Sequence, residues 1–208
     1  MKTKVIAKIV SILGICFLFH SEGFTQARFG FRIGANISNQ EFKRGSLTVE
    51  PKSKFGLDLA IVADFPLGEV VSFGPELHWL QKGFKVEDFE YQPGQFLSIT
   101  STLNYLELPL LIKFNFGEEA KFHVMGGPSF GYLLSDKTED GDGNELEFED
   151  LIEEINRIEL GAHFGAGFSV RPVVIDVRYI LGISNVANDV PDVEVRNNAF
   201  GAGVSFLF

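Results

Sequence analysis

Eight stretches of this sequence place a large apolar residue at every second position, and a period of two commits a chain to strands. RFGFRIGANIS sets Phe29, Phe31, Ile33, Ala35 and Ile37 against Gly30, Arg32, Gly34 and Asn36. FGLDLAIVADF sets Phe55, Leu57, Leu59, Ile61, Ala63 and Phe65 against Gly56, Asp58, Ala60 and Asp64. VSFGPELHWL, YLELPLLIKFNF, residues 121–134, IELGAHFGAGFSV and VVIDVRYILGIS repeat the pattern. The closing GAGVSFLF carries it to the last residue, with Val204, Phe206 and Phe208 against Gly201, Gly203 and Ser205. A strand that runs to the end of a chain needs partners along its whole length, because free ends fray. No long segment has a helical period; Glu149 to Ile155 is a short helical possibility.

The connections decide how these strands are joined. PLGE, GEEA and RP are turn-length links, whereas residues 38–54, 85–103, 135–157 and 185–197 read as long polar loops. Short and long links alternate along the chain. That predicts an all-β, eight-stranded, antiparallel up-and-down transmembrane β-barrel with short periplasmic turns and long extracellular loops. Closure follows from the solvent: hydrocarbon offers no water to a strand edge, so the last strand must join the first. Strands of about 10 residues cross the bilayer when tilted, which matches these segments.

In such a barrel the soluble pattern is inverted, with small and polar residues inside and apolar ones toward lipid. Arg32, Asp58, Glu76, Glu107, Lys113, Glu159, Asp176 and Arg178 all fall on the non-apolar face and are expected to form a paired lumenal network. In that network Lys113, Arg32 or Arg178 is the expected partner of Glu107. An eight-strand lumen is filled by side chains, so no open pore is expected. Phe29, Phe65, Phe114, Phe116, Phe122, Phe168, Phe206 and Phe208 cluster toward the short turns, and Trp79, Phe84, Tyr132 and Tyr179 toward the long loops. They read as two interfacial aromatic belts. The alternative, a soluble lipocalin-like ligand binder, would turn the phenylalanines inward and the charges out.

Residues 1–27 read as a secretory signal peptide and residues 28–208 as the barrel domain. Lys2, Lys4 and Lys8 precede an apolar run from Ile9 to Phe19, and Thr25 and Ala27 supply the small residues before a cut. The run is too short to span as a helix, and Ile15 before Cys16 argues against lipidation. Removing the leader takes away the single cysteine and leaves 15 basic and 27 acidic residues in about 180. The mature chain therefore carries no thiol or disulfide chemistry, and its acidity argues against a nucleic-acid partner.

FGFRIGANIS, GPELHWLQKGF, LNYLELPLLIKFNFG, VMGGPSFGYLLSDK, VVIDVRYILGISNV and NNAFGAGVSFLF together resemble the Bacteroidetes outer-membrane β-barrel family often labelled PorT-like. The resemblance covers essentially the whole mature chain. It implies a small barrel of the OmpA/OmpX type in the cell outer membrane, a structural or surface-interaction role, and no catalytic residues. One branch of that family implies an accessory role in a type IX secretion or gliding apparatus. Expected partners are outer-membrane lipid, barrel-assembly machinery reading Phe208, and extracellular or secretion-system proteins meeting the loops.

Little else suggests chemistry, and no cofactor is expected. Asp140, Asp142 and Asn144 have the spacing that begins a calcium loop, but Glu145 and Leu151 stand where Gly and a bidentate Glu are required. A solvated acidic loop explains them better. His78, His123 and His163 point inward at different depths, which argues against one shared metal. Ser72 or Ser129 with His78 and Glu76 makes a serine triad on paper only.

Overall fold

The computed structural model describes residues 27–44, 47–49, 51–92, 95–145, 156–187 and 193–208. The expected leader up to Gln26, and the helical possibility at Glu149 to Ile155, lie outside these residues. Every regular element described is a strand: β1 (Arg28–Arg44), β2 (Leu47–Val49), β3 (Lys52–Pro66), β4 (Val71–Gln92), β5 (Gln95–Phe116), β6 (Ala120–Asp140), β7 (Ile158–Val170), β8 (Val173–Gly182) and β9 (Val193–Leu207). Each pairs antiparallel with its neighbour in order, and β9 returns to β1. β2 pairs with β1 beyond the end of β3, at Phe42↔Val49 to Arg44↔Leu47, and so continues the arm of β3. The result is a ring of eight arms.

The closing seam is long. It runs from Gly30↔Leu207 to Arg44↔Val193. Below it, the Phe29 and Phe208 backbones exchange hydrogen bonds of 3.3 and 2.9 Å. The final phenylalanine is thus held by the first strand, while its side chain stands 74% exposed. At the opposite faces of one strand the inversion is plain: Arg32 is 1% exposed, and its neighbours Phe31 and Ile33 are turned outward. Ile61 is 67% exposed and Glu107 only 2%. An apolar outer wall around a charged interior excludes the soluble lipocalin-like arrangement, which would bury the first and expose the second.

Three turns of two to four residues close one end, at 67–70, 117–119 and 171–172. Gly117 takes φ +104° there, and a Cβ would lie 2.4 Å from the Ala120 carbonyl oxygen, so only glycine fits. At the other end the strands outrun the sequence reading. Residues 85–103 are mostly not loop, because β4 and β5 stay paired as far as Gln92↔Gln95. Likewise β1 runs on to Arg44, β6 to Asp140, and β9 starts at Val193. A 22-residue arm is roughly 70 Å long, far more than the hydrocarbon needs. Above the bilayer both faces of a strand meet water, so the pairing persists while the two-face alternation disappears.

Phe84 also departs from expectation. It meets Phe42 edge-on at 5.4 Å, across β1 and β4, which β3 separates in the ring. The two rings meet each other from the lumenal faces of their strands, toward the long loops, in place of joining the lipid belt. Tyr132 and Tyr179 do lie on the outer wall.

One irregularity crosses three neighbouring arms. Pro75 in β4 pairs with Leu110, Pro109 in β5 with Ser129, and Pro128 in β6 with Ala162. Proline has no N–H to give a ladder and is rare away from sheet edges. Pairing accordingly skips from Pro75↔Leu110 to His78↔Glu107, and from Pro109↔Ser129 to Ile112↔Gly126. The amide hydrogens of Glu76, Leu77, Leu110, Leu111 and Gly127 should therefore exchange faster than those of the unbroken β1–β9 seam. Hydrogen exchange in detergent micelles measures this, and equal protection of both regions would refute it.

Candidate functional site in the barrel lumen

The lumen-facing residues of seven arms meet in two stacked clusters. The cluster nearer the turns is built on Arg32 of β1, Asp58 of β3, Glu76 and His78 of β4, Lys113 of β5, and Asp176 and Arg178 of β8. Arg32 donates to Asp58 at 3.0 Å and also to Asp176. Arg178 reaches Asp176 at 2.6 Å and Glu76 at 2.5 Å, and Lys113 reaches Glu76 at 3.0 Å. His78 lies between two carboxylates, with Nδ1 2.6 Å from Asp58 and Nε2 2.9 Å from Glu76. Gly203 leaves room for this packing: a Cβ there would stand 2.5 Å from the Arg32 guanidinium.

The second cluster lies toward the long loops. Lys82 Nζ is 2.7 Å from Glu159 and 3.0 Å from Glu107, and His163 Nε2 is 2.8 Å from Glu107. Asn197 donates to Glu159 at 2.7 Å and to the Tyr105 hydroxyl at 3.2 Å, while Gln40 donates to Asn197 at 2.7 Å. The His78 and His163 rings, 6.0 Å apart, join the clusters. A separate pair, Arg28 and Asp64 at 2.5 Å, lies at the turn end, where Ser72 also donates to Asp64.

The charges of the two clusters nearly cancel without help. Arg32, Lys82, Lys113 and Arg178 face five carboxylates: Asp58, Glu76, Glu107, Glu159 and Asp176. Carboxylates only accept, so a histidine held between two of them donates from both nitrogens and carries both protons. With His78 as imidazolium the sum is zero. Such complete pairing is what a desolvated interior requires, because a buried charge left alone costs several kcal/mol.

All eight residues expected on the lumenal face are buried there, but one pairing differs from expectation. Glu107 is held by Lys82 and His163, whereas Lys113, Arg32 and Arg178 serve Glu76, Asp58 and Asp176. Reading the third segment only as far as Leu80 hid Lys82, although Glu76, His78 and Lys82 share one face of β4. The amides Gln40 and Asn197 lay outside the periodic segments and gave no comparable signal.

The paper triad does not assemble. Both His78 nitrogens are taken by carboxylates, which leaves none to accept a serine proton, and the Ser72 hydroxyl is given to Asp64. The structure brings His78 and His163 together and sets His123 apart, beside Gly167. Among the described residues no group of three His, Cys, Asp or Glu side chains is arranged to hold a metal ion. In the acidic loop Asp140 accepts from the Asp142 and Asn144 backbones at 3.0 and 2.8 Å and from the Asn144 amide at 3.0 Å. The Asn144 bonds hold the Asp140 carboxyl below its ordinary pKa. These three residues build a turn on one carboxylate, which engages both its oxygens locally.

A family model described as outer membrane protein beta-barrel domain matches residues 21–188. The chain belongs to that family. Its place is the outer membrane, with the apolar wall in lipid. Solved structures of similar fold include the attachment invasion locus protein Ail of Yersinia pestis, at 16% identity and TM-score 0.44 over 88% of this chain and all of that one. OprG of Pseudomonas aeruginosa aligns at 9% identity and TM-score 0.45, over 88% of this chain and 95% of that one. Neisserial surface protein A aligns at 15% and 0.40, over 86% and 97%. No curated protein matches the chain.

Breaking one lumenal pair should be costly. Glu107→Leu leaves the Lys82 ammonium with Glu159 alone and should destabilise the barrel by about 3–5 kcal/mol in urea unfolding from vesicles. Glu87→Leu removes an exposed partner of Lys52 on the projecting hairpin, where water screens the pair, and should leave stability essentially unchanged. Equal effects of the two changes would contradict a buried network.

Proposed function

We propose that this protein is a small outer-membrane barrel with a structural or surface-interaction role and that its lumen is a closed core, not a conducting pore. The observation that carries this reading is the charge-balanced network across the lumen. An eight-stranded lumen is only wide enough for side chains, and here those side chains are tied to one another. What remains for interaction is the outside: paired arms carried past the bilayer and the polar connections between them. Connections at the rim of a rigid scaffold are where binding residues concentrate.

A second, narrower reading is a PorT-like accessory part of a type IX secretion or gliding apparatus, the role of one branch of the family that the motifs around LNYLELPLLIK resemble. Under either reading, residues 1–27 serve as a leader removed on export. Exposed Phe208 on the closing strand offers barrel-assembly machinery an aromatic to read. Extracellular or secretion-system proteins would meet the projecting arms.

Two measurements test the leading reading. Reconstituted in planar bilayers, the protein should give no steady conductance; large stable channels would overturn the closed lumen. A strain lacking the gene should keep normal secretion and gliding, and loss of either would favour the narrower role.

A further inference from the structure

The lumenal network divides where its two histidine rings meet. The turn-side cluster sets four cations, Arg32, Lys113, Arg178 and the His78 imidazolium, against three carboxylates, Asp58, Glu76 and Asp176. The loop-side cluster sets Lys82 against two carboxylates, Glu107 and Glu159. With His163 neutral, one half is therefore positive by one charge and the other negative by one. The halves attract, and His78 and His163 face each other edge-on at 6.0 Å where they join.

The surroundings of His163 hold it in the neutral form. Nε2 lies 2.8 Å from the Glu107 carboxylate, which only accepts, so the ring proton sits on that nitrogen. Nδ1 is shielded and has no hydrogen-bond partner among the described residues, so a second proton there finds no acceptor. His78 differs, because both its nitrogens meet carboxylates. The charged groups around the His163 ring are Glu107 of β5, His78 of β4 and Arg178 of β8, with Lys82 of β4 on the same Glu107. β6 sets Gly127 opposite it and Ser129 opposite Gly161, one row away on the same face.

We propose that His163 is an acid-sensitive latch between the two halves of the lumen. A proton on Nδ1 neutralises the loop-side cluster, removes its attraction to the turn-side cluster and sets two imidazolium rings against each other. The loop-side half, which Tyr105, Asn197 and Gln40 complete, then loosens. Imidazole in water takes up its second proton near about pH 6.5. The closed arrangement thus prevails above that pH, and the loosened one, which binds one proton more, gains as the pH falls. One proton of difference moves such an equilibrium by up to about tenfold per pH unit.

Hydrogen exchange of the full barrel in nanodiscs at about pH 7.5 and about pH 5, read as protection factors so that the intrinsic pH dependence of exchange cancels, tests this. Protection around Lys82, Glu159 and Asn197 should fall by about ten- to thirtyfold at the lower pH, while protection around Arg32 and Asp176 holds. His163→Gln keeps an N–H for Glu107 but takes no proton, and should show the same loop-side protection at both pH values. Unchanged loop-side protection in wild type would overturn the latch, as would an equal fall in His163→Gln. Nitrogen chemical shifts of the wild-type ring give a check that needs no variant: a His163 that gains its second proton while protection holds also overturns it.

Discussion

Within hydrocarbon, every backbone N–H and C=O must find its partner inside the protein, and this requirement shapes the rest of the molecule. It makes β9 return to β1 and puts the last residue in a hydrogen-bonded pair with Phe29. Eight closed arms leave a narrow interior, so alternate residues must be small or must fit one another. Gly203 beside Arg32 is one such accommodation. The alternate set faces lipid and must be apolar. Sequence period, ring size and the inverted placement of charge are thus consequences of one solvent.

The lumenal network adds what the ladder alone lacks, which is a fixed register. A one-residue slip in any arm turns its whole inner face outward. For β1 that would place Arg32 in the membrane, at a cost of about 2–4 kcal/mol near the midplane, and would strip Asp58 and Asp176 of the guanidinium they share. Since β1, β3, β4, β5, β7, β8 and β9 all contribute to the two clusters, an error in one arm breaks pairs held by others. Buried ion pairs are weak evidence of net stability. Their use here is to distinguish one register from its neighbours.

The membrane-embedded part of this architecture was legible in the sequence because its two faces meet different surroundings. Strand identity, strand order, the short turns and the inward set from Arg32 to Arg178 all follow from that contrast. Where the contrast ends, legibility ended too. The arms past the bilayer have water on both sides, so β4 and β5 continue to Gln92 and Gln95 without an alternating signature. Partner choice inside the lumen was illegible for another reason. Periodicity assigns a residue to a face but not to a height, and the pairing of Glu107 with Lys82, not Lys113, is decided by stagger between arms. Phe84 shows the same limit: its ring meets Phe42 across an intervening strand, a relation that no spacing encodes.

The row of prolines and the network are best understood together. Pro75 precedes Glu76, Pro109 lies two residues after Glu107, and Pro128 precedes Ser129. The arms that give up ladder hydrogen bonds at this level are therefore ones that carry lumenal polar groups beside the gap. Glu76 binds Arg178 and Lys113, and Glu107 binds Lys82 and His163, so β4 and β5 are tied to β7 and β8 across the lumen, as well as along their edges. Charge-assisted bonds are roughly twice as strong as neutral ones, and those crossing the lumen do not depend on the ladder beside them. The wall tolerates interruption at the height where its interior holds it most firmly. A sheet with an apolar interior would have no such second set of bonds, and three adjacent prolines in lipid would leave unpaired carbonyls with nothing to offset them.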